Sequence, residues 1–323
     1  MNNLLIIGNG FDILHAIKTK YKHFYDYLCE EYDIKSNEIP ENFVIQNKLT
    51  NCGDYEFSDI DLAQLLVYTI LSSSSSESMW NNLEELLGQL DHFEYLSQII
   101  EFTPNDSDCE INQYHLANNM QQYSLDLKEA ISIGIKKLFK DWVYTIDVNS
   151  PNHRQIQRLI DQSNHILTFN YTQTVQQIYN KKNVTHIHGS ANNRDDFILG
   201  HNNSSRTFIE YDKSHYFYSA SSIQKLHNNL LKNTSQQILL HKNFFESLSM
   251  NSKKLDNIYS IGFSFGGVDL PYILEIVSHT NEQTTWTNYV HDLADCKNHK
   301  EKIILCGFSG QIICKQSKHL LNN

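Results

Sequence analysis

Hydrophobic and polar positions fall into two regimes along the chain. Leu4-Leu5-Ile6-Ile7 is an apolar run of four, bounded by Gly8 and too short for a helix. That pattern predicts a strand buried on both faces. From Phe11 to about Glu31 the apolar positions Phe11, Leu14, Ile17, Tyr21, Phe24, Tyr25 and Leu28 approximate helical spacing, with a break predicted near AIKTKY. Up to about residue 150 little then alternates. DYEFSDIDLAQLLVYTILSSSSS predicts a helix running into a serine tract, and SMWNNLEELLGQLDHFEYLSQII predicts another. NQYHLANNMQQYSLDLKEAISIGIKKLFKDWVYTI fits one very long helix. Trp80, Leu83, Leu86, Leu87 and Leu90 lie at core spacing, and SSSSSES at 72–78 is the best linker candidate.

Strand patterns return after this helical stretch. HILTFN (165–170), VTHIHG (184–189), FILG (197–200), NIYSIGF (257–263), TTWTNYVH (284–291) and KIILCGF (302–308) are short apolar or β-branched runs, several ending on Gly or Asn. Helical patterns at 174–180, about 214–249 and 268–279 separate them. Strands alternating with helices predict an α/β fold: a Rossmann-like, mostly parallel sheet with helices on both faces and a large helical insertion. The expected organisation is a Rossmann-like domain built from 1–32 and 151–323, with a helical subdomain at 33–150. The last pair, near 302–315, resembles a hairpin and is expected to be antiparallel at the sheet edge.

Composition narrows the class. The chain has 323 residues, 40% hydrophobic and 20% charged, so a packed core is expected rather than disorder. With 4 prolines and 12 glycines, long regular elements are favoured. A net charge of −11 argues against broad nucleic-acid binding. No apolar run approaches the roughly 18–20 residues needed to span a bilayer. The six cysteines, at 29, 52, 109, 296, 306 and 314, form no C-x-x-C pair and no secretory signal precedes them, so they are expected to be reduced thiols in a cytoplasmic protein.

In open parallel sheets ligands bind outside the carboxyl ends of the strands. The residues expected there are Gly8, Asn9, Gly10, Phe11 and Asp12; Asn170, Tyr171 and Thr172; His188 and Gly189; Gly200 and His201; and Gly262, Ser264 and Asp269. Gly8-Asn9-Gly10 departs from G-x-G-x-x-G, because position 13 is Ile. It suits either a tight β-to-α turn or a diphosphate cradle at a helix N-terminus. A carboxylate beside a phosphate repels it, so Asp12 is better suited to capping the helix or accepting from a ribose hydroxyl. Asn170 can hold a hydroxyl or a water, and His188 can take a proton near neutral pH. His186 and His188 alternate on one predicted strand face, yet no third ligand with suitable spacing accompanies them, so no metal is expected. Gly262, Ser264 and Gly266 match G-x-S-x-G, but the downstream histidines His299 and His319 lie at no convincing strand end.

Taken together, LLIIGNGFDILHAIKTKYKHFYDYL, WNNLEELL, LTFNYTQTVQQIY, VTHIHGS, FILGHN and YSIGFSFGGVDLPYI resemble, in order and spacing, the bacteriophage abortive-infection AbiH family, over residue 4 to about 278. That family in turn is distantly similar to the sirtuin-like domains of other antiphage systems, which bind and often hydrolyse NAD. This second resemblance implies that Gly8, Gly10 and Asp12 match the first nucleotide turn, Asn170 the catalytic asparagine, His188 the catalytic histidine, and Gly262 with Ser264 the late nucleotide-binding turn. Thr172 stands where sirtuin-like enzymes carry Asp.

The implied function is a bacterial antiphage effector acting as an NAD glycohydrolase. Asn170 and His188 would be catalytic, and Gly8, Asn9, Gly10, Phe11, Asp12, Thr172, Gly189, Gly262, Ser264 and Asp269 would bind the nucleotide. The alternatives are a non-catalytic nucleotide-binding sensor whose helical part contacts a phage or host protein, and, less well supported, a nuclease. A homo-oligomer is compatible with the sequence.

Overall fold

The computed structural model describes residues 1–35, 48–49, 55–72, 83–90, 113–191, 197–208, 217–249 and 253–321. Trp80, Cys52, Cys109, the linker candidate beyond Ser72 and the predicted helix beyond Leu90 lie outside the described residues. The chain divides into two compact units, Met1–Lys20 with Val143–Ile198 and Asn233–Asn323, and Tyr21–Trp142 with Leu199–Lys232.

The first unit holds a six-stranded sheet. Its strands are β1 (Asn3–Ile7), β2 (His165–Thr168), β3 (Thr185–His186), β4 (Asn257–Ile261), β5 (Thr285–Val290) and β6 (Gln311–Gln316). They lie in the order β3-β2-β1-β4-β5-β6, and every pairing is parallel. The order reverses between β1 and β4, which is the arrangement of doubly wound nucleotide-binding sheets. The helices of this unit are α1 (Asn9–Leu14), α2 (Arg154–Gln162), α3 (Thr174–Tyr179), α4 (Thr234–Leu240), α5 (Lys242–Ser247), α6 (Leu270–Val277) and α7 (Cys296–Leu305).

All five residues of β1 are buried, as its unbroken apolar run requires for a strand covered on both faces. Its side chains alternate. Leu4 and Ile6 join Phe245, Ile273, Trp286 and Ile303 on one face, while Leu5 and Ile7 join Phe11, Ile156, Ile160 and Tyr179 on the other. Helices therefore cover both faces: α5, α6 and α7 one, α1, α2 and α3 the other.

Three expectations change here. KIILCGF is not an edge strand: residues 302–305 end α7, and β6 runs parallel to β5. The reason is periodicity, since Ile303 is buried while Ile304 and Leu305 face solvent, which is a helical rather than a strand pattern. FILG is not a strand either; residues 197–200 carry no regular structure, and only His201 makes an isolated parallel bridge, to Leu231. The reduced-thiol expectation fails for two cysteines. Cys296 at the start of α7 and Cys314 on β6 form a disulfide, their Cα atoms 6.2 Å apart, whereas Cys29 and Cys306 are free. Nothing in their sequence spacing announces that pairing, because it arises from the packing of α7 beside the edge strand.

The second unit contains the helices Tyr21–Glu31, Asp59–Ser72, Leu83–Leu87 and Phe217–Asn229, and most of the long helix Gln113–Thr145. A two-stranded antiparallel pair, Lys48–Leu49 with Tyr55–Glu56, accompanies them. Phe24, Phe139 and Trp142 form an aromatic cluster with centroids 5.3–5.4 Å apart. Gly134 allows close helix approach: a Cβ there would lie 3.1 Å from Leu62. The Lys232 ammonium is wholly buried and paired with Glu84 at 2.9 Å. Gly200 and His201 belong to this unit, packed against Leu230 and Lys232.

No described helix is long and apolar enough to cross a membrane. Among the described residues no cluster of three potential metal ligands occurs.

Candidate functional site

The carboxyl ends of β1, β2, β3 and β4 bring most of the predicted residues to one edge of the sheet. The two glycine loops at the reversal of strand order meet directly. Gly8 N–H donates to the Ile261 carbonyl, and Gly10 N–H to the Gly262 carbonyl at 2.9 Å. A Cβ on Gly8 or Gly10 would lie 2.6 Å from Gly262, and Gly262 itself adopts φ +60°. The glycine pair is thus required by the close approach of two backbones. Its amides are used internally, since Phe11 N–H also donates to the Gly8 carbonyl. Phe11 is wholly buried against His15 and Tyr179, so the structure gives it to the core rather than to a ligand surface. Asn9 donates its side-chain amide to the Thr19 carbonyl.

Asp12 is 0% exposed. Both of its oxygens accept from the segment after β2: Thr172 Oγ1, in the loop, donates to Oδ2 at 2.6 Å, and Thr174 Oγ1, at the start of α3, donates to Oδ1 at 2.7 Å. Burial pushes its carboxyl up from 3.8 to about 6, with the bonds from Thr172, Thr174 and Asn170 acting against that rise. The contacts that the structure gives this carboxylate are internal ones. Asp12 does not cap its helix; the cap position is Gly8.

Asn170 donates its side-chain amide to the Gly8 carbonyl at 3.1 Å, while its Oδ1 is buried with no hydrogen-bond partner. Its main-chain carbonyl accepts from His186 Nδ1 at 3.0 Å, and Gln176 Nε2 lies 2.7 Å from His186 Nε2. Burial pulls His186 below the ordinary histidine range, so the neutral ring donates at Nδ1 and accepts at Nε2. His186 therefore supports Asn170. It is a residue the sequence pattern set beside His188 without revealing this separate task.

His188 lies just beyond β3 and is 3% exposed. Its Nε2 is 3.6 Å from Asp269 Oδ1, and its ring stands edge-on to Phe169 at 5.3 Å and to Tyr272 at 5.6 Å. Tyr171 is 6.2 Å away and packs on Phe197. An imidazole enclosed by aromatic rings, with a carboxylate beside one nitrogen, can take up a proton and have the resulting charge stabilised. Gly189, at φ +89°, makes the turn that follows. Gln173 then bonds Ser190, and Ala191 N–H donates to the Tyr171 carbonyl, tying the loops after β2 and β3 together.

The loop after β4 differs from the first glycine loop. Ser264 is exposed between buried Phe263 and Phe265, and Phe265 holds φ +53° with its ring against Trp286 and His299. Among the described residues, the N–H groups of Ser264, Phe265, Gly266 and Gly267 have no intramolecular acceptor. Successive unpaired amides in such a turn can receive an anion. His299 bonds Asn288 rather than Ser264, so the described residues contain no serine–histidine pair here.

Comparison with known families adds the deciding observation: residues 4–290 match the family described as bacteriophage abortive infection AbiH. The chain belongs to the AbiH family. The match covers both glycine loops, Asn170, His188 and Asp269 of this AbiH chain, and it supports a role in phage abortive infection. No curated protein and no solved structure matches it.

Proposed function

We propose that this AbiH protein is an abortive-infection effector whose sheet edge binds a nucleotide and hydrolyses NAD at the nicotinamide–ribose bond. The observation carrying this reading is His188, enclosed by aromatic rings beside Asp269 at the carboxyl ends of a sheet in doubly wound order. The unpaired amides of Ser264–Gly267 suit a diphosphate, and the unpartnered Asn170 Oδ1 suits a hydroxyl or a water. In the reaction the C1′–N bond breaks, nicotinamide leaves with the electron pair, and water adds to the oxocarbenium-like carbon. His188 takes the proton that the water gives up. Loss of His188 or Asn170 should lower the rate by about 10²–10⁴.

The test is nicotinamide release from NAD by the purified protein, alone and with phage lysate, alongside phage protection by Asn170→Ala. No NAD loss in either condition, with protection unaffected by that substitution, refutes the reading. One observation favours a second reading, a nucleotide-binding sensor without turnover. Thr172, where sirtuin-like enzymes carry Asp, directs its hydroxyl inward to Asp12. Under that reading calorimetry shows nucleotide binding without turnover, and His188→Ala spares protection.

A further inference from the structure

One row of the sheet is fastened to one turn of helix. Ser260 on β4, Asn288 on β5 and Cys314 on β6 are register partners across three parallel strands, so their side chains leave the same face of the sheet. Cys314 is bonded to Cys296. Asn288 donates its side-chain amide to His299 Nδ1 at 3.1 Å, while its Oδ1 accepts from Ser260 Oγ at 2.8 Å. Cys296 and His299 stand three residues apart at the start of α7, so the covalent link and the hydrogen bond hold the same turn. The buried His299 ring packs at 5.0 Å on Phe265, whose ring also meets Trp286 and Phe263. Phe265 holds φ +53° in the turn whose amides lack intramolecular acceptors among the described residues. A residue with a Cβ stays in that backbone region only while its surroundings hold it there. The conformation of the amide turn therefore depends on the position of His299, and that position on the fastening of α7.

We propose that the Cys296–Cys314 bridge is a redox-sensitive latch on the Ser264–Gly267 turn, the oxidised chain holding a diphosphate there more tightly than the reduced one. Both cysteines are partly exposed, so a reductant in solution can reach them. A thiolate of a small dithiol attacks one bridge sulfur, the S–S bond breaks, and the released sulfur takes a proton. The dithiol's second thiolate then displaces the protein from the mixed disulfide. The chain ends with two thiols, having gained two electrons and two protons, and the dithiol closes as its own disulfide. Without the bridge the first turn of α7 loses its covalent hold on β6, and Phe265 is released to leave the left-handed region. The inference rests on the anion reading of this turn for its ligand, but not for the link between bridge and turn. A ligand that prefers one redox form stabilises that form by the same factor, so the coupling runs in both directions.

The test uses inorganic pyrophosphate as calorimetric probe, with the state of the bridge read by thiol alkylation and mass spectrometry. Reduction of wild type should weaken binding about fivefold or more. Saturating pyrophosphate should raise, by the same factor, the ratio of dithiol to its disulfide at which half of the bridge is reduced. The double variant Cys296→Ser with Cys314→Ser should bind like reduced wild type under either condition. His299→Leu, which keeps the bridge, should bind pyrophosphate equally in both redox states. Equal affinity of oxidised and reduced wild type, or a dithiol-sensitive affinity in the double variant, would overturn the proposal. A second readout needs no ligand. The Asp269 N–H donates to the Gly266 carbonyl at 2.9 Å and closes the turn. Its hydrogen exchange, followed in nitrogen-15 spectra, should speed up about fivefold or more when wild type is reduced and stay constant in His299→Leu. If neither redox form binds pyrophosphate, the anion reading falls, while that exchange still decides whether the bridge reaches the turn. An exchange rate unmoved by reduction overturns the latch itself.

Discussion

Replacing Asp12 by asparagine should make the protein less dependent on pH, and the size of the effect follows from the burial of the carboxylate. Burial raises Asp12 from 3.8 to about 6. At about 1.4 kcal/mol per pH unit, the ionised carboxylate costs the folded chain about 3 kcal/mol once pH is well above 6. The folded state holds the proton more tightly than the unfolded state does. The stabilising contribution is therefore full below about 3.8 and is lost as pH rises through about 6. The Asp12→Asn variant carries no titrating group at this position. The stability difference between wild type and variant should change by about 2.4 kcal/mol between about pH 4 and pH 7.5, with the variant gaining as pH rises. Against this stands the loss of one acceptor for Thr172 or Thr174, about 1 kcal/mol and independent of pH. Urea unfolding of both proteins across that window measures the difference, in which contributions from other groups cancel. A flat difference would show that the carboxylate is not desolvated as described.

Other outcomes test the remaining parts of the structure. Gly262→Ala would place a Cβ 2.3 Å from the Gly10 carbonyl carbon at φ +60°, so thermal unfolding should report a loss on the order of 3 kcal/mol or more. Cys296→Ser, or reduction of wild type, should lower stability by about 3 kcal/mol, because the bridge closes a loop across an 18-residue separation. Unchanged urea midpoints under reducing and oxidising conditions would contradict that bridge. Asp269→Asn should reduce NAD turnover by about tenfold or more while leaving stability within about 0.5 kcal/mol of wild type, since it removes a charge beside His188 at a partly exposed position. Turnover equal to wild type would separate Asp269 from the reaction.

The sequence alone determined those features in which a few adjacent residues settle their own environment. Leu4–Ile7 could only be a strand covered on both faces, and the break between Leu14 and Tyr21 was legible in the helical spacing. The strands at 165–168, 257–261 and 285–290 and the long helix Gln113–Thr145 were likewise legible, because burial imposes a period on apolar residues. KIILCGF shows the limit of that signal: a run of three apolar residues fits either period until something packs against it. Only the tertiary structure decided which residues meet. Asp12 looked like a ligand group because two glycines precede it, and the distant threonines that enclose it cannot be located by local pattern. The same holds for Asp269 beside His188, for Cys296 with Cys314, and for Gly10 against Gly262. Each depends on strand order and on loops leaving adjacent strand ends, quantities set by packing of the whole sheet rather than by nearby residues.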